Sequence, residues 1–363
     1  MGIDIENSSK ISLLQAYIIL LLAIGILDHV IMIPLLLSAS GRDAWISVIA
    51  VLLVSPVWIG CLSYIIRDMR GEAFKDWLRR HFGSFLASCL IVIYSSFLWI
   101  MGALSLKDTI TWALVSYMPQ TPVFVLAAAT LTGCLFAAYA GIYSIAIVSG
   151  ILLPFVVLLG DLVMTANFQF KNYRLLFPML EYGTLPVLKG IPYAAGGFLE
   201  LMMITLFQHR LSKKPGFKSL MLVSILLAGL TLGPLVGAIA LFGPDEAANQ
   251  RYPAYEQWRM VRLGEYVEHV DFFSIYQWLS GTFVRVSLSL YLLAEIWRVK
   301  RRLVLMICAA LLMLVATTAP ISDMAFLRFL EHFYFPIFCY FIVTMTIIFV
   351  LKIWMSKPRR NVS

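Results

Sequence analysis

The stretch "AIGILDHVIMIP", Ala23 to Pro34, sits in the middle of the first long apolar run of the chain. It places Asp28 and His29 side by side at a depth where a lipid-facing helix carries neither. An isolated charge there costs at least about 2.5–3.5 kcal/mol, so an ionisable residue at bilayer depth points to a functional site. The apolar residues around the pair decide the fold class, and the pair itself raises the question of function.

The rest of the chain repeats the apolar pattern. Of its 363 residues, 61% are hydrophobic and only 13% are charged, and the mean hydropathy is +0.87. Soluble domains are about 45–50% apolar and about 25% charged. The sequence therefore reads as an all-α integral membrane protein. At roughly 20 residues per span, about nine to eleven spans fit. Apolar windows place ten helices, at about 11–36, 43–66, 83–110, 121–140, 142–165, 187–208, 217–242, 270–297, 302–320 and 330–354. Residues 1–363 form a single transmembrane domain. The N-terminal "MGIDIENSSK" lacks the pattern of a cleaved signal, so the first run reads as an uncleaved span.

The net charge is +8 and the pI about 9.2. In a soluble protein this would suggest nucleic acid; here it reflects cations flanking helix ends, and the bilayer is the partner. With the N-terminus inside, Arg67, Arg70, Arg79, Arg80, Lys213, Lys214, Lys300, Arg301 and their neighbours fall on the inner side. Inner cations outnumber outer ones by about two to one, which places both termini in the cytoplasm and requires an even number of spans. The longest outer segment, 243–268, is either a plain loop or a short amphipathic surface helix presenting Trp258, Met260, Val261 and Tyr266 to lipid or protein.

Several chemistries are excluded. Cys61, Cys89, Cys134, Cys308 and Cys339 lie in apolar runs with no C-x-x-C pair, as small hydrophobes do. The five histidines have no metal-ligand spacing. His81, His209 and His332 fall near helix ends and read as interfacial. No phosphate-binding, dinucleotide, zinc-hydrolase or nucleophile-elbow motif is present. No cofactor, metal or enzymatic activity is expected.

The intramembrane polar set is Asp28 and His29 in the first span, Glu200 in the sixth and Arg285 in the eighth. Glu295 and Arg298 lie close enough to the end of the eighth span to snorkel. Arg285 cannot realistically deprotonate and needs a carboxylate, Asp28 or Glu200, or several carbonyls nearby. Such a pair serves helix packing, ligand binding or both. Transporters built on inverted repeats bind substrate where two corresponding helices are broken. In a 5+5 inverted-repeat transporter fold, helices 1 and 6 correspond. The first carries Gly25 and Pro34 around Asp28; the sixth carries Gly196 and Gly197 before Glu200. These glycines and the proline are the expected helix breaks.

Several stretches in order resemble the B subunits of the nutrient germinant receptors of endospore-forming bacteria, a branch of the amino acid–polyamine–organocation transporter superfamily. They are "GRDAWISVI" from Gly41, "MPQTP" from Met118, "SGILLPFVVLL" from Ser149, "GGFLELMM" from Gly196, "FGPDEAANQRYPAYEQWRMV" from Phe242 and "YVEHVDFFSIYQWLSGTFVRVSLSLY" from Tyr266. The similarity runs from about residue 11 to 355. Glu200 matches the family's characteristic Glu, and Arg285 stands where the family often carries Lys. The resemblance implies a ten-helix transporter fold with broken helices and residence in the inner spore membrane. It implies assembly with an A-type subunit and a lipoprotein C-type subunit, and recognition of a small nutrient that starts germination. One departure stands out. Where many members place Gly-x-Gly in the first span, this chain has Leu27, Asp28 and His29. Asp28 would meet an amino acid's carboxylate, which favours a cationic or uncharged nutrient unless Arg285 neutralises it.

Two functions follow. The first is a sensor whose pocket lies between helices 1, 3, 6 and 8, lined by Gly25, Asp28, His29, Glu200, Arg285 and Ser289, with Trp99, Phe198 and Tyr276 as walls. The second is a proton-coupled amino-acid or amine transporter in which Asp28 or His29 carries the proton.

Overall fold

The computed structural model describes residues 10–262 and 269–356. Among these, nine helices are long and apolar enough to cross a membrane, and a tenth apolar helix, Arg302–Thr318, has 17 residues, at the short end of what a span needs. The elements in chain order are α1 (Leu13–Ile26), a π-helical turn (Leu27–Ile31), α2 (Ile33–Ser40), α3 (Ala44–Met69), α4 (Phe74–Ser116), α5 (Val123–Ala140), α6 (Ile142–Ala166), α7 (Leu185–Glu200), a 3-10 turn (Leu201–Met203) and α8 (Ile204–Phe207). They continue with α9 (Phe217–Phe242), α10 (Pro244–Asn249), α11 (Pro253–Arg259), α12 (Phe273–Trp297), α13 (Arg302–Thr318), α14 (Asp323–Phe329), a π-helical turn (Leu330–Tyr334) and α15 (Phe335–Ser356). The fold is an all-α, transporter-like membrane bundle.

Two spans form the centre. In the most apolar window of α12, and in that of the stretch Leu185–Arg210, 83% of residues are buried, against 22% in α6 with its extension and 28% in α5. The difference follows from side-chain size. Buried Ser280, Gly281, Thr282, Ser287 and Ser289 make α12 a narrow rod, and small residues let membrane helices approach closely. A β carbon on Gly281 would meet Ile26 of α1 at 2.8 Å, and Thr282 hydrogen-bonds Thr109 of α4 at 2.6 Å. By contrast α6 exposes Ile147, Ile151, Phe155 and Leu158, a lipid-facing wall.

Polar contacts sort the helix ends onto two faces. Ile11, just before α1, pairs with the strand-like stretch after α8: its N–H donates to Arg210 O at 3.0 Å, and Ser212 N–H donates to its carbonyl at 2.9 Å. On that face Arg298 meets Asp76 at 2.6 Å and Arg210 meets Glu295 at 2.9 Å. The opposite face holds Arg42–Glu181 at 2.7 Å and Arg251–Asp323 at 2.8 Å. We call this second face the loop face, because it carries α10 and α11.

Local detail emerges at three places. The third span, expected from about residue 83, is preceded by a further helical stretch. Gly83 is a kink (φ +77°) within α4, and residues 74–82 are helical, turning Phe74, Trp77, Leu78 and His81 inward. Their spacing of three, four and seven is that of one helix face. In the segment 243–268, Trp258 and Val261 face protein, being 2% and 0% exposed, whereas Met260 is 42% exposed. Tyr266 lies outside the described residues. Finally, Gly196 and Gly197 do not interrupt their helix, since α7 runs through them to Glu200. The first span is interrupted instead by the π turn at Leu27–Ile31, and the stretch after α7 by the 3-10 turn at Leu201–Met203.

Candidate functional site

Arg285 lies midway along α12 and is 1% exposed. Glu200, the last residue of α7, makes that possible. Nη1 donates to Glu200 Oε2 and Nη2 to Oε1, both at 2.6 Å. Two parallel bonds between a planar fork and a carboxylate form the strongest ion-pair geometry available to side chains. Nη1 also donates to Ala23 O at 2.7 Å. That carbonyl is free for a local reason: the Leu27 N–H, its usual partner four residues on, bonds Ile24 O instead at the end of α1. Tyr334, in the second π turn, donates to Glu200 Oε1 at 3.4 Å. Four membrane segments thus converge on one charge pair.

The first π turn has its own cause. Pro34 has no N–H to donate to Val30 four residues back, so the chain loosens before it, and Met32 N–H reaches Leu27 O at 3.0 Å. The wide turn carries Asp28 and His29 in different directions. Asp28 points at α7. A β carbon on Gly197 would overlap its carboxylate, so the glycine there serves close approach rather than a helix break. Gly197 and Glu200 are three residues apart and share a face of α7; Asp28 therefore joins the Glu200–Arg285 cluster. It is 1% exposed, and among the described residues neither of its oxygens has a hydrogen-bond partner. The Arg285 guanidinium is committed to Glu200, leaving a second buried carboxylate beside a neutralised pair.

His29 points the other way. Its Nδ1 lies 3.1 Å from Leu230 O on α9, and its ring lines a cavity of about 220 Å³ between α1, α6, α9, α11 and α12. Gly25 lines the same cavity, one helical turn earlier. The space exists because glycines border it: β carbons on Gly229 and Gly233 would meet nothing within 4 Å. Its walls are largely apolar, with Leu21, Val156 and Trp278 among them, and Lys171, Asp161 and Gln257 are its polar margin. Lys171, just beyond α6, has its ammonium pushed below the ordinary lysine range by burial.

The structure does not bring the other expected residues to this cavity. Trp99 donates its indole N–H to Ala309 O at 3.1 Å, and Ser289 donates to Leu98 O; both tie α4 to its neighbours. Phe198 is buried in the apolar core of the loop-face half. Tyr276 is half-buried and packs edge-on against Phe155. Pro34 is buried in the first turn of α2. Gly196 makes room for Phe335.

A second buried charge, which the sequence does not flag, is Asp108 on α4. Arg251, in the loop between α10 and α11, donates to it at 2.5 Å and to Asp323 at 2.8 Å, and its guanidinium stacks 4.3 Å from the Tyr252 ring. Burial, followed by the Asp108 charge, pushes the Tyr252 phenol above its ordinary range. "SLKDTI" reads as a span end, and nothing in it announces a partner 143 residues away. On the opposite face, Glu295 does not snorkel: His209 and Arg210 hold it at 2.7 and 2.9 Å.

A family model described as "Spore germination protein" matches residues 10–324. The chain is 41% identical to Spore germination protein XB of Bacillus anthracis over 97% of its own length and 99% of the relative's. It is 24% identical to the putative spore germination protein YfkT of Bacillus subtilis, over 71% of each chain. With Spore germination protein KB of Bacillus subtilis it shares 22% identity, over 70% of this chain and 69% of that one. A bundle of apolar helices that buries a bidentate Arg–Glu pair beside an interrupted first span is thus a member of the spore germination protein family.

Proposed function

We propose that this chain is the membrane-embedded subunit of a spore nutrient germinant receptor, and that it binds a small nutrient in the cavity beside the first π turn. The observation that carries the reading is that cavity: about 220 Å³, bounded by Gly25 and His29 where α1 loosens. An engineered apolar cavity of about 150 Å³ holds benzene, so an amino acid or similar small nutrient is of the right size. The Glu200–Arg285 pair and Asp28 brace the wall behind the π turn, and a ligand that straightens or loosens the turn changes what they hold. On this reading the protein resides in the inner spore membrane with both termini cytoplasmic. It works with an A-type subunit and a lipoprotein C-type subunit, and binding triggers germination.

The test is a thermal-shift screen of nutrients on the purified protein, with Gly233→Leu as the blocked control. A ligand at a hundred times its Kd stabilises the folded state by about 2.7 kcal/mol. We expect a nutrient that stabilises the native chain and not the variant. Equal stabilisation of both contradicts the assignment.

A second reading, a proton-coupled amino-acid or amine transporter, draws on Asp28, a buried carboxylate with no hydrogen-bond partner among the described residues. Uptake of the stabilising nutrient into vesicles under an imposed pH gradient separates the two: accumulation favours transport, and binding without accumulation favours sensing.

A further inference from the structure

Pro234 lies inside α9. A proline has no N–H, so the carbonyl four residues earlier loses its helical donor. That carbonyl belongs to Leu230, and it is the one His29 Nδ1 approaches at 3.1 Å. A carbonyl oxygen only accepts, so Nδ1 is the ring nitrogen that carries the proton. A neutral imidazole has one N–H, which leaves Nε2 with a bare lone pair. His29 is half-buried, and its ring borders the cavity.

On the α1 wall His29 is the polar side chain that lines the cavity; the Asp161 carboxylate on α6 and the Gln257 carbonyl oxygen on α11 are acceptors on other walls. Gln277 is engaged at both ends, accepting from Trp258 Nε1 at 3.0 Å and donating to Val156 O at 2.9 Å. The Gln257 amide donates to Pro234 O at 2.9 Å and Pro253 O at 3.3 Å. Asp28, though adjacent in sequence, is turned toward Gly197 on the far side of the π turn.

We propose that His29 Nε2 is the hydrogen-bond acceptor on the α1 wall of the cavity, with its tautomer set by the carbonyl that Pro234 leaves free, and that the site selects apolar small molecules bearing an N–H or O–H donor. This rests on the cavity being the binding site. It specifies the ligand's chemistry: a donor toward α1 and an apolar body against Leu21, Val156 and Trp278.

The test uses the full-length protein in detergent with ¹⁵N-labelled imidazoles, the His29 signals being assigned by their loss in His29→Asn. We expect protonated Nδ1 and unprotonated Nε2 in the native chain. In Pro234→Ala, which returns an N–H to Leu230 O, we expect a mixture of tautomers. Protonated Nε2 in the native chain overturns the proposal. Binding is read by thermal shift with indole and with 1-methylindole, which lacks the N–H. Loss of the hydrogen bond should weaken binding roughly five- to tenfold, the worth of one neutral bond, for 1-methylindole on the native chain and for indole on His29→Asn. Equal binding in either comparison, or no stabilisation by indole at all, overturns the proposal. If indole binds Gly233→Leu as well as it binds the native chain, the cavity assignment itself fails, and the proposal with it.

Discussion

Gly197 and Asp28 occupy what is nearly one volume: the α carbon of the glycine lies so close to the aspartate carboxylate that a β carbon could not be added without moving it. The contact joins the π turn of the first span to the α7 face that carries Glu200.

Gly197→Ala should therefore destabilise the protein by about 1–3 kcal/mol, the usual cost of overpacking a filled core. Asp28→Ala opens the same space, so the double variant should recover most of that loss. A double-mutant cycle read by thermal or denaturant unfolding in detergent checks it, since contacting residues couple by about 0.5–3 kcal/mol. Simple additivity would show that the two residues do not touch.

Removing Glu200 takes the bidentate partner from an Arg285 that is 1% exposed and leaves it only the carboxylate of Asp28, which makes no hydrogen bond to it. Glu200→Leu should cost about 3–5 kcal/mol, whereas Glu200→Leu combined with Arg285→Met should lie much closer to the native chain, as apolar replacements of whole buried pairs do. The midpoints of unfolding of the three proteins order the two cases.

The Asp108–Arg251–Asp323 contacts tie α4, the loop between α10 and α11, and α14 together on the loop face. Arg251→Ala strands Asp108, whose second oxygen already has no partner among the described residues. Hydrogen exchange should rise in α14 and in residues 244–259, while the Ile11–Leu211 pairing on the opposite face keeps its protection. Exchange that rises equally at both ends would contradict a local role.

Much of this was legible in the sequence, because a bilayer forces a simple code. Apolar runs of span length must be helices, and they are. An intramembrane Arg needs a carboxylate, and of the two offered it takes Glu200. The family resemblance also holds. Less legible was anything that depends on which way a side chain leaves a helix. Asp28 and His29 are neighbours in the chain, yet a π turn sends one toward α7 and the other toward α9. Gly196–Gly197 reads as a break because glycine permits one, but here it answers to Phe335 and Asp28 from other spans. The cationic stretch 74–82 falls outside the apolar windows, although Phe74, Trp77, Leu78 and His81 give it a buried face. Trp99, Ser289 and Phe198 fall at the right depth and face other neighbours. The cavity has no sequence signature, since it is made by glycines on several helices whose mutual placement only packing decides.

On the proposed reading a nutrient acts by occupying the cavity beside His29 and Gly25. Its most direct test is the germination response of spores carrying Gly233→Leu, with the abundance of the protein measured in the same spores. A β carbon at Gly233 meets nothing within 4 Å, so the leucine fills the cavity without straining the fold. We expect normal abundance with the nutrient response lost. Normal abundance with a normal response would contradict it.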